Sequence, residues 1–368
     1  MTARPDLTAN DFKQLFINDV PLMDVRAAVE FEAGAFPSAV NRPLLDNQQR
    51  HEIGSLYKEQ GQDAAVARGN ALATEAVRSQ RLADWTDYVR SHPNGYIYCF
   101  RGGLRSHTTQ QWLKEKGVEY PLINGGYKAL RHFLLNELER LCNSSQLILL
   151  AGATATGKTD LLYRYKHSLD LEGRANHRGS AFGSRFTEQP AQINFENAII
   201  IDWLKQENDK GMPILVEAES RLIGRLCLPP VLQAAMQGSQ VIELKACRAE
   251  RVERLRRDYI EFALMHFKEQ TEQPWVELSN YVQNALNRIQ KRLGGAKHKE
   301  LSALLPIACI ELREEANWQS FDRIFAELLD HYYDKMYDYQ LQKQSDQLIY
   351  SGEAADVLNY LSRSYNYV

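Results

Sequence analysis

Gly152-Ala153-Thr154-Ala155-Thr156-Gly157-Lys158-Thr159 decides the fold of the C-terminal half of this 368-residue chain. It fits G-x-x-x-x-G-K-[ST] at every constrained position, directly after the apolar run Gln146–Ala151 and before a helical stretch that begins Asp160-Leu161-Leu162. In such a loop the glycines let backbone N–H groups close on phosphate oxygens, the lysine adds a positive charge, and the threonine hydroxyl can ligate Mg²⁺. Gly152, Gly157, Lys158 and Thr159 are therefore the expected diphosphate ligands. Two more buried-strand patterns follow, Ile214–Val216 and Gln240–Leu244, which predicts an α/β domain on a parallel sheet. Glu217 ends the first of them, where a nucleotide-hydrolysing enzyme keeps the carboxylate that organises its metal. It is a candidate metal partner, with an ordinary strand-end carboxylate as the alternative.

The half before this loop also alternates short strands and helices. Val20–Val25 reads as a strand, Phe31–Ala39 as a loop with Gly34 and Pro37, and Gly95–Phe100 as a second strand that ends in a glycine-bearing turn before the helical stretch Thr108–Gly117. Cys99 opens that turn: Cys99-Phe100-Arg101-Gly102-Gly103-Leu104-Arg105-Ser106. Strand, tight loop and helix in this order let backbone amides converge on an anion, and two arginines add charge. Cys99 is thus a candidate nucleophile, Arg101 and Arg105 candidate anion clamps, and Gly102 and Gly103 candidate backbone donors; a packed structural cysteine beside a turn is the alternative. From Tyr127 to Leu141 the apolar residues Leu130, Phe133, Leu134, Leu138 and Leu141 share one helical face, and Asn143-Ser144-Ser145 breaks the pattern. The expected domains are 1–141, 146–330 with a largely helical part after Glu250, and a Tyr-rich extension, 331–368, packing on the second domain.

Five cysteines, odd in number and without a CxxC pair, give no disulfide framework and no zinc site. No run of about 18 uncharged apolar residues occurs, and the N-terminus lacks the pattern of a secretion signal, so the expected location is the cytoplasm. A net charge of -3 leaves binding of a polyanion to local patches. Three patches lie in the C-terminal half: Arg164 to Arg185 with Arg174, His177 and Arg178; Lys245 to Arg257 with Arg251 and Arg254; and Arg288 to Lys299 with Lys291 and Arg292. Each alone reads as a solvated face, but three beside a phosphate loop make these residues candidate RNA contacts.

Leu22-Met23-Asp24-Val25-Arg26, Glu30-Phe31 and Gly34-Ala35-Phe36-Pro37-Ser38-Ala39-Val40-Asn41 resemble the opening of rhodanese domains. The resemblance implies that Cys99 carries a chalcogen as a persulfide or selenide, with Asp24 and Glu30 as structural elements. Five residues separate Cys99 from Arg105, where sulfurtransferases have four. Five is the spacing of cysteine-dependent phosphatases, whose wider loop encircles a phosphate. Tyr98 stands before the nucleophile in place of the histidine common among those phosphatases, and the loop is read as one that admits a phosphate-bearing donor.

The whole chain resembles the bacterial tRNA 2-selenouridine synthases, through Leu171-Glu172-Gly173, His177-Arg178-Gly179-Ser180-Ala181-Phe182-Gly183, Glu217-Ala218-Glu219-Ser220-Arg221, Tyr333-Asp334 and Met336-Tyr337. What that family implies is a rhodanese-like domain fused to a P-loop domain, acting on tRNA with a wobble 2-thiouridine. Geranyl diphosphate alkylates the thiocarbonyl sulfur, and selenium from selenophosphate then displaces geranyl thiol. A selenophosphate-supplying enzyme is an implied partner. The alternatives are a P-loop ATPase or kinase with a rhodanese-type regulatory or phosphatase module, and an RNA-binding or chalcogen-carrier protein.

Overall fold

Three short strands, β1 (Leu22–Asp24), β2 (Ala39–Asn41) and β3 (Tyr96–Tyr98), pair in parallel in the order β2-β1-β3. Single parallel bridges, Ile97 to Leu122 and Leu7 to Ile123, extend the sheet beyond β3. The computed structural model that shows this describes residues 4–180, 182–183, 185–207, 211–342 and 345–365; Ala181 lies outside them. On one face of the sheet Met23, Val25, Ile97 and Cys99 pack with Leu82, Trp85, Leu113 and Leu122. Helix Gly126–Ser144 buries Leu130, Leu134, Leu138 and Leu141, the face its periodicity predicts, and ends inside the polar run. Phe31–Ala33 complete a short helix, Ala28–Ala33, so the loop read there begins only at Gly34.

The second sheet has five parallel strands: β4 (Leu147–Ala151), β5 (Ser168–Leu169), β6 (Ile214–Glu217), β9 (Gln240–Leu244) and β10 (Leu348–Gly352), in the order β10-β9-β4-β6-β5. A small antiparallel hairpin, β7 (Leu222–Ile223) and β8 (Leu226–Cys227), lies between β6 and β9 in the chain. β4 is central and buried along its whole length, so the glycine loop leaves from the middle of the sheet. After Arg248 the chain is helical to Gln342, and these helices share a core that includes Leu278, Leu286, Leu305, Phe321 and Phe325.

Two compact units result, residues 1–141 with 190–208, and residues 142–189 with 209–368. Two expectations about boundaries change. Helix Gln192–Gln206 belongs to the first unit: Asn194 accepts the Ala35 N–H at 2.6 Å, and Asn197 donates to the Ala35 carbonyl at 2.7 Å. The segment after 330 is part of the second sheet, because β10 pairs with β9 and the following helix places Val357 and Leu361 in one core with Ile148, Leu150 and Ile242. Among the described residues no helix is long and apolar enough to cross a membrane.

Candidate functional site

Cys99 follows β3 directly and precedes helix Leu104–Glu115, which starts inside the expected turn and takes Leu104, Arg105 and Ser106 into its first turn. The thiol is 3% exposed; its Sγ accepts the Gly103 N–H at 3.3 Å and lies 3.2 Å from the Ser106 hydroxyl. Negative charge on Sγ therefore meets an aligned amide at a helix N-terminus. The loop is held from behind by Gly126, a glycine the motif reading missed. Gly102 and Gly126 both have positive φ, +64° and +57°, and a Cβ on Gly126 would stand 2.3 Å from the Cys99 carbonyl oxygen. Only glycine fits there. The next two amides, of Tyr127 and Lys128, donate to the carbonyls of Cys99 and Phe100 at 2.8 and 3.0 Å.

The two arginines of the loop differ. Arg101 is exposed, its guanidinium 5.9 Å from the Phe100 ring centre. Arg105 is not a free clamp: it donates to both carboxylate oxygens of Glu30, at 2.6 and 3.2 Å. Burial raises the Glu30 pKa, but the Arg105 hydrogen bonds and charge outweigh it and hold the group below its ordinary value. Asp24 is fully buried and paired with Arg26, which also donates to the Gly34 carbonyl at 2.7 Å. Both candidate carboxylates are structural in this geometry. In front of Cys99 opens a cavity of about 1010 Å³, lined by the loop and by helices Asn47–Gln60 and Gln62–Leu72.

In the second unit, β4 runs into the glycine loop and helix Lys158–Arg164 follows. Gly157 has φ +92°, and a Cβ on Gly152 would meet the Leu244 carbonyl at 2.8 Å, so both glycines are required by the fold. Ala155 takes φ +64°, a left-handed conformation that costs a residue with a Cβ roughly 1–2 kcal/mol. Lys158 Nζ donates to the Gly152 carbonyl at 2.8 Å, and Thr159 lies on the wall of a cavity of about 590 Å³. Glu217 is 0% exposed and does not line this cavity; one of its oxygens accepts the Glu172 N–H at 3.0 Å. Glu172 and Glu219 line it. Burial first, and then the charge of Asp170, pushes Glu217 up to about 8.

The three basic patches of the sequence converge. Arg178 and Arg185 from the first, Arg254 and Arg257 from the second, and Arg288 and Arg292 from the third all line the phosphate-loop cavity with Lys158. Two π-helical turns, Arg257–Glu261 and Leu329–Tyr333, supply part of the wall, and Tyr332, Tyr333, Met336 and Leu341 add aromatic and apolar side chains to its lining.

The segment 145–367 matches the family model for the tRNA 2-selenouridine synthase AAA domain. The chain is 45% identical over 355 residues to the tRNA 2-selenouridine synthase of Marinobacter nauticus, covering 96% of each. It is 42% identical over 360 residues to that of Pseudomonas fluorescens, covering 96% of this chain and 98% of the relative. It is 43% identical over 353 residues to that of Pseudomonas aeruginosa, covering 95% and 96%. The chain belongs to the tRNA 2-selenouridine synthase family.

Within this tRNA 2-selenouridine synthase family member, the remaining candidate RNA contacts fall into different places. Arg251 is 8% exposed, donates to the Thr154 carbonyl at 2.9 Å and pairs with Asp334, so it braces the glycine loop and does not offer itself to a polyanion. Arg254 donates to the Ala155 carbonyl at 3.3 Å, on the same loop. Arg174 and Lys291 are exposed and do not line the cavity. His177 accepts the Gly179 N–H at 3.0 Å, and burial, helped by Arg288 and Arg185, holds its pKa below the ordinary imidazole value.

Proposed function

We propose that this chain replaces sulfur by selenium at C2 of a wobble 2-thiouridine in tRNA, in two steps divided between its two anion cradles. The second unit binds geranyl diphosphate. Sulfur of the thiocarbonyl attacks C1 of the prenyl chain, the C–O bond to diphosphate breaks, and diphosphate leaves into the cradle of loop amides, Lys158 and arginines. The observation that carries this reading is the composition of the phosphate-loop cavity, which joins cations from three chain segments with an aromatic and apolar surface from Tyr332, Tyr333, Met336 and Leu341. A prenyl diphosphate presents those two surfaces, one strongly anionic and one apolar. Thr159 is the residue that would meet a Mg²⁺ on the diphosphate, where the ion would offset leaving-group charge.

The first unit acts as a rhodanese-like domain, with Cys99 as the chalcogen carrier. Selenium of selenophosphate, held at the Cys99 loop, attacks C2, the C2–S bond to the geranyl thiol breaks, and water then takes the phosphoryl group from selenium so that phosphate leaves; selenium stays at the selenide level throughout. The reading is supported by the strand-loop-helix setting of Cys99, its contact with the Gly103 amide, and the exposed Arg101 beside it for the donor's phosphate. The cytoplasm is the proposed setting, since all five cysteines are free and the chemistry needs a reduced thiol; a selenophosphate-supplying enzyme is the proposed partner.

Separate assays of the two steps test the division of labour. Cys99→Ser should abolish selenation of S-geranyl tRNA and retain geranylation, while Lys158→Ala should cut geranylation by roughly a hundredfold or more. Equal loss of both steps in both variants would refute the assignment. Hydrolysis of ATP or GTP without tRNA, and no prenyl transfer, would favour the nucleotide-dependent alternative.

A further inference from the structure

Helices Asn47–Gln60 and Gln62–Leu72 form a hairpin that contributes one buried residue, Ala65, and no member of the core that covers the first sheet. Its apolar side chains Ile53, Val66 and Leu72 face the Cys99 cavity together with Leu44 and Trp112. Val66 is 37% and Phe100, on the Cys99 loop, 38% exposed, so apolar surface is left uncovered next to a nucleophile, among polar lining residues that include Arg50, His51 and Lys58. Two glycines inside the helices keep the space open. A Cβ on Gly54 would meet nothing within 4 Å, and one on Gly69 only Ile53 Cδ1 at 3.6 Å. Glycine lowers helix stability relative to any ordinary residue, and no backbone clash demands it at either position.

Among the reactants of the proposed exchange, selenophosphate is a small anion and tRNA is a polyanion; only the prenyl chain is apolar. We infer that the hairpin cavity beside Cys99 binds the geranyl chain of the S-geranyl nucleoside and sets the chain-length preference of selenation. The inference rests on the function proposed above. In it, the nucleoside approaches the Cys99 loop with its sulfur substituent laid between the two helices, and Gly54 and Gly69 mark the room the chain occupies.

The test compares selenation of S-geranyl and S-methyl 2-thiouridine tRNA by the full-length protein, with selenophosphate as donor and nucleoside mass spectrometry as readout. The wild type should prefer the geranyl substrate in kcat/KM by at least about a hundredfold, since each buried methylene counts for several-fold. Gly54→Leu and Gly69→Leu, whose added atoms enter open space, should reduce that ratio at least about tenfold, with melting temperatures no lower than the wild type's. Efficient selenation of both substrates without preference, or an unchanged ratio in both leucine variants, overturns this inference and leaves the proposed function standing. Selenation of neither substrate by the wild type overturns the proposed function and this inference with it.

Discussion

Arg105 and Glu30 hold each other through two hydrogen bonds, and this pair couples the Cys99 loop to the helix that follows β1. Glu30 sits below its ordinary pKa of 4.5 in the folded protein, so the native state binds fewer protons than the unfolded chain as the pH falls through that range. The stability it contributes is present above pH 4.5 and is lost as the pH falls through the lower folded value. Glu30→Gln should therefore cost about 1–3 kcal/mol at pH 7, by leaving a half-buried guanidinium without its charged partner. It should also flatten the acid limb of the melting curve; a Tm-versus-pH series for both proteins checks this, and an acid limb of unchanged steepness would count against the pair. At this level the sequence was informative about type more than about orientation. Cys99, Lys158 and Thr159 could be named because loop spacing restricts what those residues can do. The pairing of Arg105 with Glu30, and of Arg251 with Asp334, joins residues 75 and 83 positions apart and depends on the tertiary fold, which no local pattern encodes.

The strand-loop-helix units carry both cradles, and they differ in how they are kept open. Around Cys99 the backbone is clamped from behind by the Gly125-Gly126 turn and the start of helix Gly126–Ser144, so Gly126→Ala should push the Cys99 carbonyl away and twist the loop. The expected result is destabilisation by about 1–3 kcal/mol, from strain at a positive φ, together with loss of selenation. Thermal unfolding and the single-step assay read the two effects separately; wild-type values of both would show that the clamp is dispensable. Around Lys158 the loop is braced from in front, by Arg251 and Arg254 donating to the carbonyls of Thr154 and Ala155. Arg251→Ala should thus weaken geranylation by roughly tenfold through loop disorder and lower Tm as well, where loss of a mere RNA contact would leave Tm unchanged. Strands β3, β4, β6 and β9 were legible because each holds a short stretch rich in apolar residues bounded by polar or turn residues. β10 was not: Leu348-Ile349-Tyr350-Ser351-Gly352 is half-buried at a sheet edge and lies in a Tyr-rich tail that lacks the alternation of a strand.

Each unit is assembled from two stretches of chain, because helix Gln192–Gln206 returns to the first from between β5 and β6. That return was invisible to a linear reading. The helix is apolar enough to belong anywhere, and what assigns it is Asn194 and Asn197 bonding Ala35, with Arg131 on Glu196 and Asn197. A fragment ending at Ser144 should consequently expose the surface that helix covers and melt without cooperativity, whereas the same fragment with residues 190–207 appended by a flexible linker should regain a cooperative transition. Circular dichroism on the two fragments decides it. The C-terminal half shows the opposite case: three basic patches that look independent in sequence meet at one cavity, because the helices after β9 fold back over the glycine loop. The claim that joins both units is that one chain prenylates and then selenates the same nucleoside. Its most direct test is nucleoside mass spectrometry on 2-thiouridine tRNA incubated with the purified protein and geranyl diphosphate, before and after selenophosphate is added. The expected result is S-geranyl-2-thiouridine first and 2-selenouridine after the donor; tRNA left unchanged by both reagents would contradict the account.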